Sequence, residues 1–274
     1  MRVAVVMYGM LRCFEHTAPF FKRHLDNSRD LIGSGVEFDY FFYGYPNSKG
    51  ADYCRKKLSE LFAVRKSIIV DWNSEIENCI VTESKGVKDL NRRQVGATSP
   101  IACLSQHRCR MLSNNLRKSW CTENHVNHDV VILARIDSFF FRDFLLQEIN
   151  HCIENDGVMI PEDWDFKSVH EASVSDVFAV ANETSMNRFV GSYESFPSLV
   201  REKGYHFHPE TLLGAHMINA GLQRLTCKRH IAFEYPYSEG DVLGLWKETW
   251  TKEQVENEIG ISVSDIKPDH RKNF

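Results

Sequence analysis

Arg135 and Asp137 stand two residues apart at the end of the apolar run Val130 to Ala134. A strand places residues i and i+2 on one face, so the two charges are expected side by side. The run itself has the unbroken apolar character of a strand buried on both faces. Opposite charges at such a position are costly unless they are paired or used. In open α/β sheets the carboxyl ends of the strands are where ligands bind. Two accounts therefore compete: an internal ion pair, or part of a ligand site.

Other residues invite chemistry. Arg12 follows Gly9 after the first apolar run, and an arginine beside such a loop can pair with a phosphate bidentately. Asp176 is a carboxylate inside the apolar stretch Ser173 to Ala181. A bulge or a satisfied core hydrogen bond is its simpler account. Glu210 follows Pro209 in what reads as the first turn of a helix, where the macrodipole favours a negative charge. On its own it is an ordinary helix-start acid. His206 and His208 alternate along a short stretch, a pattern compatible with a zinc hydrolase that also used Asp176. A third ligand with motif spacing is missing, so packed or surface histidines are the simpler account. GxSxG, HExxH and P-loop motifs are absent from the sequence.

The elements that must position these residues read as alternating strands and helices. Arg2 to Tyr8 is a central strand, followed by Gly9 and a helix with Phe14, Ala18, Phe21 and Leu25 at helical spacing. One glycine is too few for the three-glycine dinucleotide fingerprint, which disfavours NAD and FAD. Phe38 to Tyr45 is a second strand, Ala51 to Phe62 a helix, and Ser67 to Trp72 a third strand carrying Asp71 near its carboxyl end. Asn73 to Pro100 reads as a polar loop containing Arg92 and Arg93. Ser99 and Pro100 suit the N-cap and first turn of a long helix whose inner face is traced by Leu104, Met111, Leu112 and Leu116. Arg142 to Ile153 reads as a helix, Gly157 to Pro161 as a strand, and Glu162 to Ala172 as a polar loop. Ser173 to Ala181 is a further strand. Asn182 caps a helix with Met186, Phe189, Val190 and Tyr193 inside. After the helix begun at Pro209, Arg229 to Tyr235 is expected as an edge strand and Lys252 to Glu258 as a helix. This alternation argues for an α/β fold with a mostly parallel sheet in one domain.

Composition narrows the function classes. The 274 residues carry a formal charge of −4, with an isoelectric point near 6.3, which advertises neither nucleic-acid nor anionic-membrane binding. Eight cysteines are scattered without a CxxC pair, so zinc ribbons and thioredoxin chemistry are disfavoured and buried, reduced thiols are expected. Without a run of 18 apolar residues or a leader cleavage site, the expectation is a soluble, cytoplasmic protein with no membrane span.

Four places together resemble the GT-A type nucleotide-sugar glycosyltransferases that build surface and capsular polysaccharides in bacteria and in some large DNA viruses. The opening Gly9-Met-Leu-Arg12-Cys-Phe-Glu15 is similar to the family's GxxRxF start. Ser105-Gln106 on the long helix leads into Arg135-Ile-Asp137, which resembles its RxD element. Ser175-Asp176-Val-Phe-Ala, with Met186 ten residues on, is the third, and His208-Pro209-Glu210 before Leu212-Leu213 is the fourth. They span residues 1 to about 220.

The resemblance implies a GT-A-like single domain over 1–274. Its nucleotide-binding half would cover about 1–140 and its acceptor-side half about 141–274. It implies a nucleotide-sugar donor, of uridine type and with xylose as the first guess, and a glycan acceptor; in a viral relative the site of action would be the host cytoplasm. Gly9, Arg12, Arg135 and Asp137 become donor-binding candidates, and Glu210 becomes the base of an inverting transfer; a retaining transfer, which the sequence leaves open, would not need that base. Asp176 is the second choice for the base, and otherwise binds sugar hydroxyls. The family's DxD motif binds Mn2+ or Mg2+, which leaves Asp137 as the metal candidate. An arginine replaces the first acid here, so the motif is incomplete and metal independence is the competing expectation. A non-catalytic nucleotide-sugar or glycan-binding module is the alternative function.

Overall fold

The unbroken apolar run that begins the chain forms β1 (Arg2–Met10), whose residues Val3 to Tyr8 are all buried. Burial on both faces requires parallel neighbours and helices on either side. In the computed structural model both are present. It describes residues 1–12, 14–32, 35–83, 100–140, 143, 146–161, 167, 170–227, 231–232, 253, 256–257 and 262. β2 (Glu37–Tyr45) flanks β1 on one side and pairs in turn with β3 (Val64–Ile69), both in parallel. β4 (Val130–Arg135) flanks β1 on the other side, parallel, with Tyr8 opposite Arg135. β7 (Phe178–Ala181) runs antiparallel to β4 and to β6 (Gly157–Pro161), and β6 pairs in parallel with β8 (Gln223–Cys227). Among the described residues the order β3-β2-β1-β4-β7-β6-β8 makes one seven-stranded, mostly parallel sheet drawing on both halves of the chain. A small second sheet pairs β5 (Phe139–Phe140) with β9 (Ile231–Ala232).

Helices cover both faces, so the fold is a single α/β domain as the alternation predicted. α1 (Phe14–Ile32), α2 (Ala51–Leu61) and α5 (Leu146–Glu154) pack on the face of Val3, Val5 and Met7. α4 (Pro100–Asn124), α6 (Glu183–Phe189) and α8 (Pro209–Asn219) cover the face of Ala4, Val6 and Tyr8. A third cluster ties α4 and α8 to α3 (Ser74–Glu83) and α7 (Ser192–Arg201) through Ile80, Leu104, Phe196 and Leu212. Among the described residues no helix is long and apolar enough to cross a membrane.

Several boundaries differ from the sequence expectation. β3 begins at Val64 and ends at Ile69, leaving Asp71 exposed beyond the strand. At a sheet edge Arg65 and Lys66 are tolerated, so hydropathy marked only the apolar second half. Residues 74–83, expected as loop, form α3, whose start is closed by Asn73 Oδ1 accepting from Ile76 N at 3.0 Å. Arg92, Arg93 and Ser99 lie outside the described residues, as does most of the expected 162–172 loop. Of the helix expected over 142–153, Leu146–Glu154 is described as α5, and Arg142 lies outside the described residues. The helix capped by Asn182 ends at Phe189, and Tyr193 belongs to a separate helix, α7. β8 has no counterpart in the sequence expectation, because Gln223-Arg-Leu-Thr-Cys227 is too polar to announce a strand. Of the expected strand at 229–235 only Ile231–Ala232 is described, and of the helix at 252–258 only residues 253, 256 and 257.

Gly9 and Gly44 lie opposite each other where β1 and β2 end. Gly9 has φ +107°, and a Cβ on Gly44 would stand 1.8 Å from the Gly9 carbonyl oxygen. No side chain fits there without moving backbone. Gly44→Ala is expected to destabilise the fold by about 3 kcal/mol through this overpacking, measured as a lowered urea midpoint at unchanged slope.

Candidate functional site

The strand order turns back on itself at β1. The chain moves outward to β2 and β3, then returns to place β4 on the other side of β1. Such a reversal opens a crevice at the carboxyl ends of the two inner strands. Here those ends deliver Arg12, just past β1, and Arg135 to Asp137, at the end of β4.

The three charges meet. Arg12 Nη2 donates to Asp137 Oδ2 at 2.9 Å and its Nε reaches the same oxygen at 3.3 Å. Arg135 Nε donates to Oδ1 at 3.3 Å, and its Nη2 lies 3.4 Å from Oδ2. Asp137 is fully buried, whereas the Arg12 side chain keeps 21% of its surface exposed. The turn that bends Asp137 back to Arg135 is closed by Ser138 N donating to the Arg135 carbonyl at 3.3 Å. Thr17 of α1 fixes the same turn through its hydroxyl, 2.5 Å from the Ile136 carbonyl. Both carboxylate oxygens of Asp137 thus face guanidinium groups. Among the described residues no group of three or more His, Cys, Asp or Glu side chains is arranged to hold a metal ion.

Asp176 stands next to this corner but outside any strand, since β7 begins only at Phe178. Arg135 N donates to the Val177 carbonyl at 2.9 Å, which brings the segment alongside β4. The Asp176 backbone carbonyl accepts from the Tyr8 hydroxyl and, at 3.0 Å, from Arg110 Nη2. Its carboxylate accepts from Gln106 Nε2, with Arg110 Nη2 3.8 Å away. Burial pushes the Tyr8 phenol up to about 12, so it stays a donor at neutral pH. The core hydrogen bond offered as a simpler account is therefore present, and it is shared with an arginine.

Glu210 sits in the first turn of α8, as expected, behind Pro209 at the helix start. Its carbonyl accepts from Val174 N at 3.2 Å, which ties it to the Asp176 segment. Oε2 lies 3.3 Å from His208 Nδ1. Burial holds His208 below its ordinary value, so at neutral pH this contact is made by a neutral ring. His206 is exposed and His208 buried, and only Phe207 between them makes a strand-like bridge, so the two histidines do not share a strand face.

α4 holds the acidic side together with a face that the sequence concealed. Arg110 and Arg117 are completely buried, while Met111, Leu112 and Leu116 are only partly so. Arg110 lies over the rings of Tyr8 and Phe189, at 5.2 and 5.7 Å. His107 Nε2–H donates to the Pro209 carbonyl at 3.2 Å, fixing the start of α8 against α4. Its Nδ1 then accepts from Ser192 at 2.9 Å and from Arg110 at 3.3 Å. Gln106, Arg110, Ser113, Asn114 and Arg117 recur at helical spacing. That polar stripe was the available signal for Arg110, and it loses to an apolar stripe whenever leucines are taken to mark the inside.

Burial lowers His107, His128, His208 and His216 below their ordinary value, each held neutral in the fold. The unfolded chain then binds more protons than the folded one once pH falls below about 6.5. Stability is expected to be full above that pH and to decline as pH falls toward the lowered folded values. Each histidine contributes up to about 1.4 kcal/mol per pH unit. Urea midpoints measured from neutral to mildly acid pH check this.

No family model matches the chain, and no curated protein matches it. Among solved structures, the apo form of mouse xyloside xylosyltransferase 1 aligns with 83% of this chain and 84% of its own, at 12% identity and a TM-score of 0.41. That degree of likeness carries no statement about fold or chemistry.

Proposed function

We propose that this chain is a glycosyltransferase that moves a sugar from a nucleotide-sugar donor to a glycan acceptor. The observation that carries the proposal is the pair of guanidinium groups, Arg12 and Arg135, braced on buried Asp137 at the β1–β4 crevice. Two arginines held in a fixed array suit a diphosphate, whose oxygens accept bidentate hydrogen bonds. The motifs around these residues and around Asp176 and Glu210 add the resemblance to GT-A type enzymes. A uridine diphosphate donor, and xylose as its sugar, rest on that resemblance alone.

The acceptor hydroxyl attacks the anomeric carbon while the bond from that carbon to the diphosphate breaks. Arg12 and Arg135 stabilise the charge that develops on the leaving diphosphate. Glu210 takes the acceptor proton as general base, and the configuration inverts. Asp176, held by Gln106 and Arg110, binds sugar hydroxyls. The donor set around Asp137 does not fit a divalent cation, because both its oxygens are turned to arginines. Transfer is accordingly expected to persist in a chelator.

Incubation with a panel of UDP-sugars tests the proposal. Release of UDP with at least one donor, faster when a glycan acceptor is added, is the expected result. Tight nucleotide-sugar binding without turnover would instead identify a non-catalytic binding module, and stoichiometric zinc in purified protein would favour a hydrolase.

A further inference from the structure

At the opposite, amino end of the sheet, three side chains that the proposed transfer does not use stand in a row. Asp39 of β2 is 1% exposed. Its Oδ2 accepts from Arg2 Nε at 2.5 Å and its Oδ1 from Arg65 Nε at 2.7 Å. His128, just before β4, points Nε2 at Asp39 Oδ2 across 3.1 Å. Burial works to raise the Asp39 carboxyl, but hydrogen bonds from Arg2, Arg65 and His128 outweigh it and keep the group below its ordinary value. A carboxylate only accepts, so His128 Nε2 carries the ring proton. Nδ1 of the neutral ring is then bare, and it lies 3.2 Å from the sulfur of Cys121 at the end of α4.

A thiol, a base within hydrogen-bond reach and a carboxylate that orients the base form the arrangement that activates nucleophiles in general. We propose that Cys121 is a site of oxidation by hydrogen peroxide, with His128 as the base that accepts its proton and Asp39 as the residue that positions His128. The sulfur attacks one peroxide oxygen and the O–O bond breaks. The thiol proton passes through His128 Nδ1 to the departing hydroxide, which leaves as water. Sulfur is oxidised to sulfenic acid by two electrons, and the peroxide is reduced.

The surrounding charges act both ways: Arg117 favours a charged sulfur and Asp39 a protonated His128, while Glu183 and Asp39 oppose the first and Arg117 the second. Developing charge on sulfur faces Arg117 Nη1 at 3.9 Å, itself paired with Glu183 of α6 at 2.8 Å. A protonated His128 faces Asp39, which Arg2 and Arg65 flank from β1 and β3. Burial pushes the Cys121 thiol up and the His128 ring down, so the resting pair is neutral and the thiol ionises only as it attacks. Cys121 keeps 8% of its surface exposed.

The test treats the intact protein with hydrogen peroxide and dimedone and follows each cysteine by mass spectrometry. Half-buried Cys79 serves as the internal reference. A thiol that reacts through its own ionisation climbs about tenfold in rate per pH unit below its pKa. Cys121 is expected to be labelled faster than Cys79 and at a nearly constant rate between about pH 7 and about pH 8, because neutral His128 is the base throughout. His128→Asn is expected to slow the labelling and return Cys121 to the tenfold climb. A wild-type Cys121 that reacts no faster than Cys79, or that climbs tenfold per pH unit, overturns the proposal whether or not the variant folds.

Discussion

Asp137→Asn is expected to abolish measurable transfer and to weaken UDP binding by about 10- to 100-fold, the loss of one to two charge-assisted hydrogen bonds' worth of arginine positioning. The change removes a charge and keeps the shape. Arg12 and Arg135 would no longer be braced on a common carboxylate, and their guanidinium groups would repel one another. Breaking a buried pair from one side also costs about 3 kcal/mol of stability, the lower end of the usual range because Arg12 remains partly in water. The two effects separate the competing accounts of this corner. If Asp137 serves only as an internal ion pair, Asp137→Asn lowers the urea midpoint but the folded fraction binds UDP as wild type does. If the corner holds the diphosphate, binding per folded molecule falls as well.

Glu210→Gln should cut the transfer rate by about 10²- to 10⁴-fold while leaving donor affinity unchanged. The amide preserves the helix-start geometry and the backbone bond from Val174, but it cannot take a proton. The acid limb of the transfer rate against pH should disappear with the carboxylate. Asp176→Asn makes the informative contrast. Its carboxylate is engaged by Gln106 and neighbours Arg110, so it is tied up where Glu210 meets a neutral histidine. Should Glu210→Gln transfer sugar normally while Asp176→Asn does not, the base is Asp176.

The inner strands and most helices, though not α3 or the separate α7, were legible because hydropathy reports burial directly. β1, β2 and β4 are buried along nearly their whole length, and their sequences are correspondingly apolar. The meeting of Arg12, Arg135 and Asp137 was legible for the opposite reason: Arg135 and Asp137 break an apolar run without a turn residue, and Arg12 follows a lone glycine. The edges were not legible. β3 and β8 carry Arg65, Lys66, Gln223 and Arg224, charges and amides that an edge strand accommodates because one side is open to water. The inner face of α4 was obscured in another way. Arg110 and Arg117 are buried against partners from other elements, which take up their Nη groups: Tyr8, the Asp176 carbonyl, Glu183 and Asn187. Partners up to 102 residues away in the chain leave no mark on local periodicity. The apolar neighbours of Asp176 predict a strand there, yet the segment meets Tyr8 before β7 begins at Phe178.

The central claim is that Arg12 and Arg135 form a diphosphate site, and calorimetric titration of the wild-type protein with UDP and with uridine, in a chelator, addresses it most directly. The account predicts that UDP binds far more tightly than uridine, and that Arg12→Ala and Arg135→Ala each remove most of that difference while leaving uridine binding as it was. UDP and uridine binding with equal strength, or UDP binding indifferent to both substitutions, would contradict it.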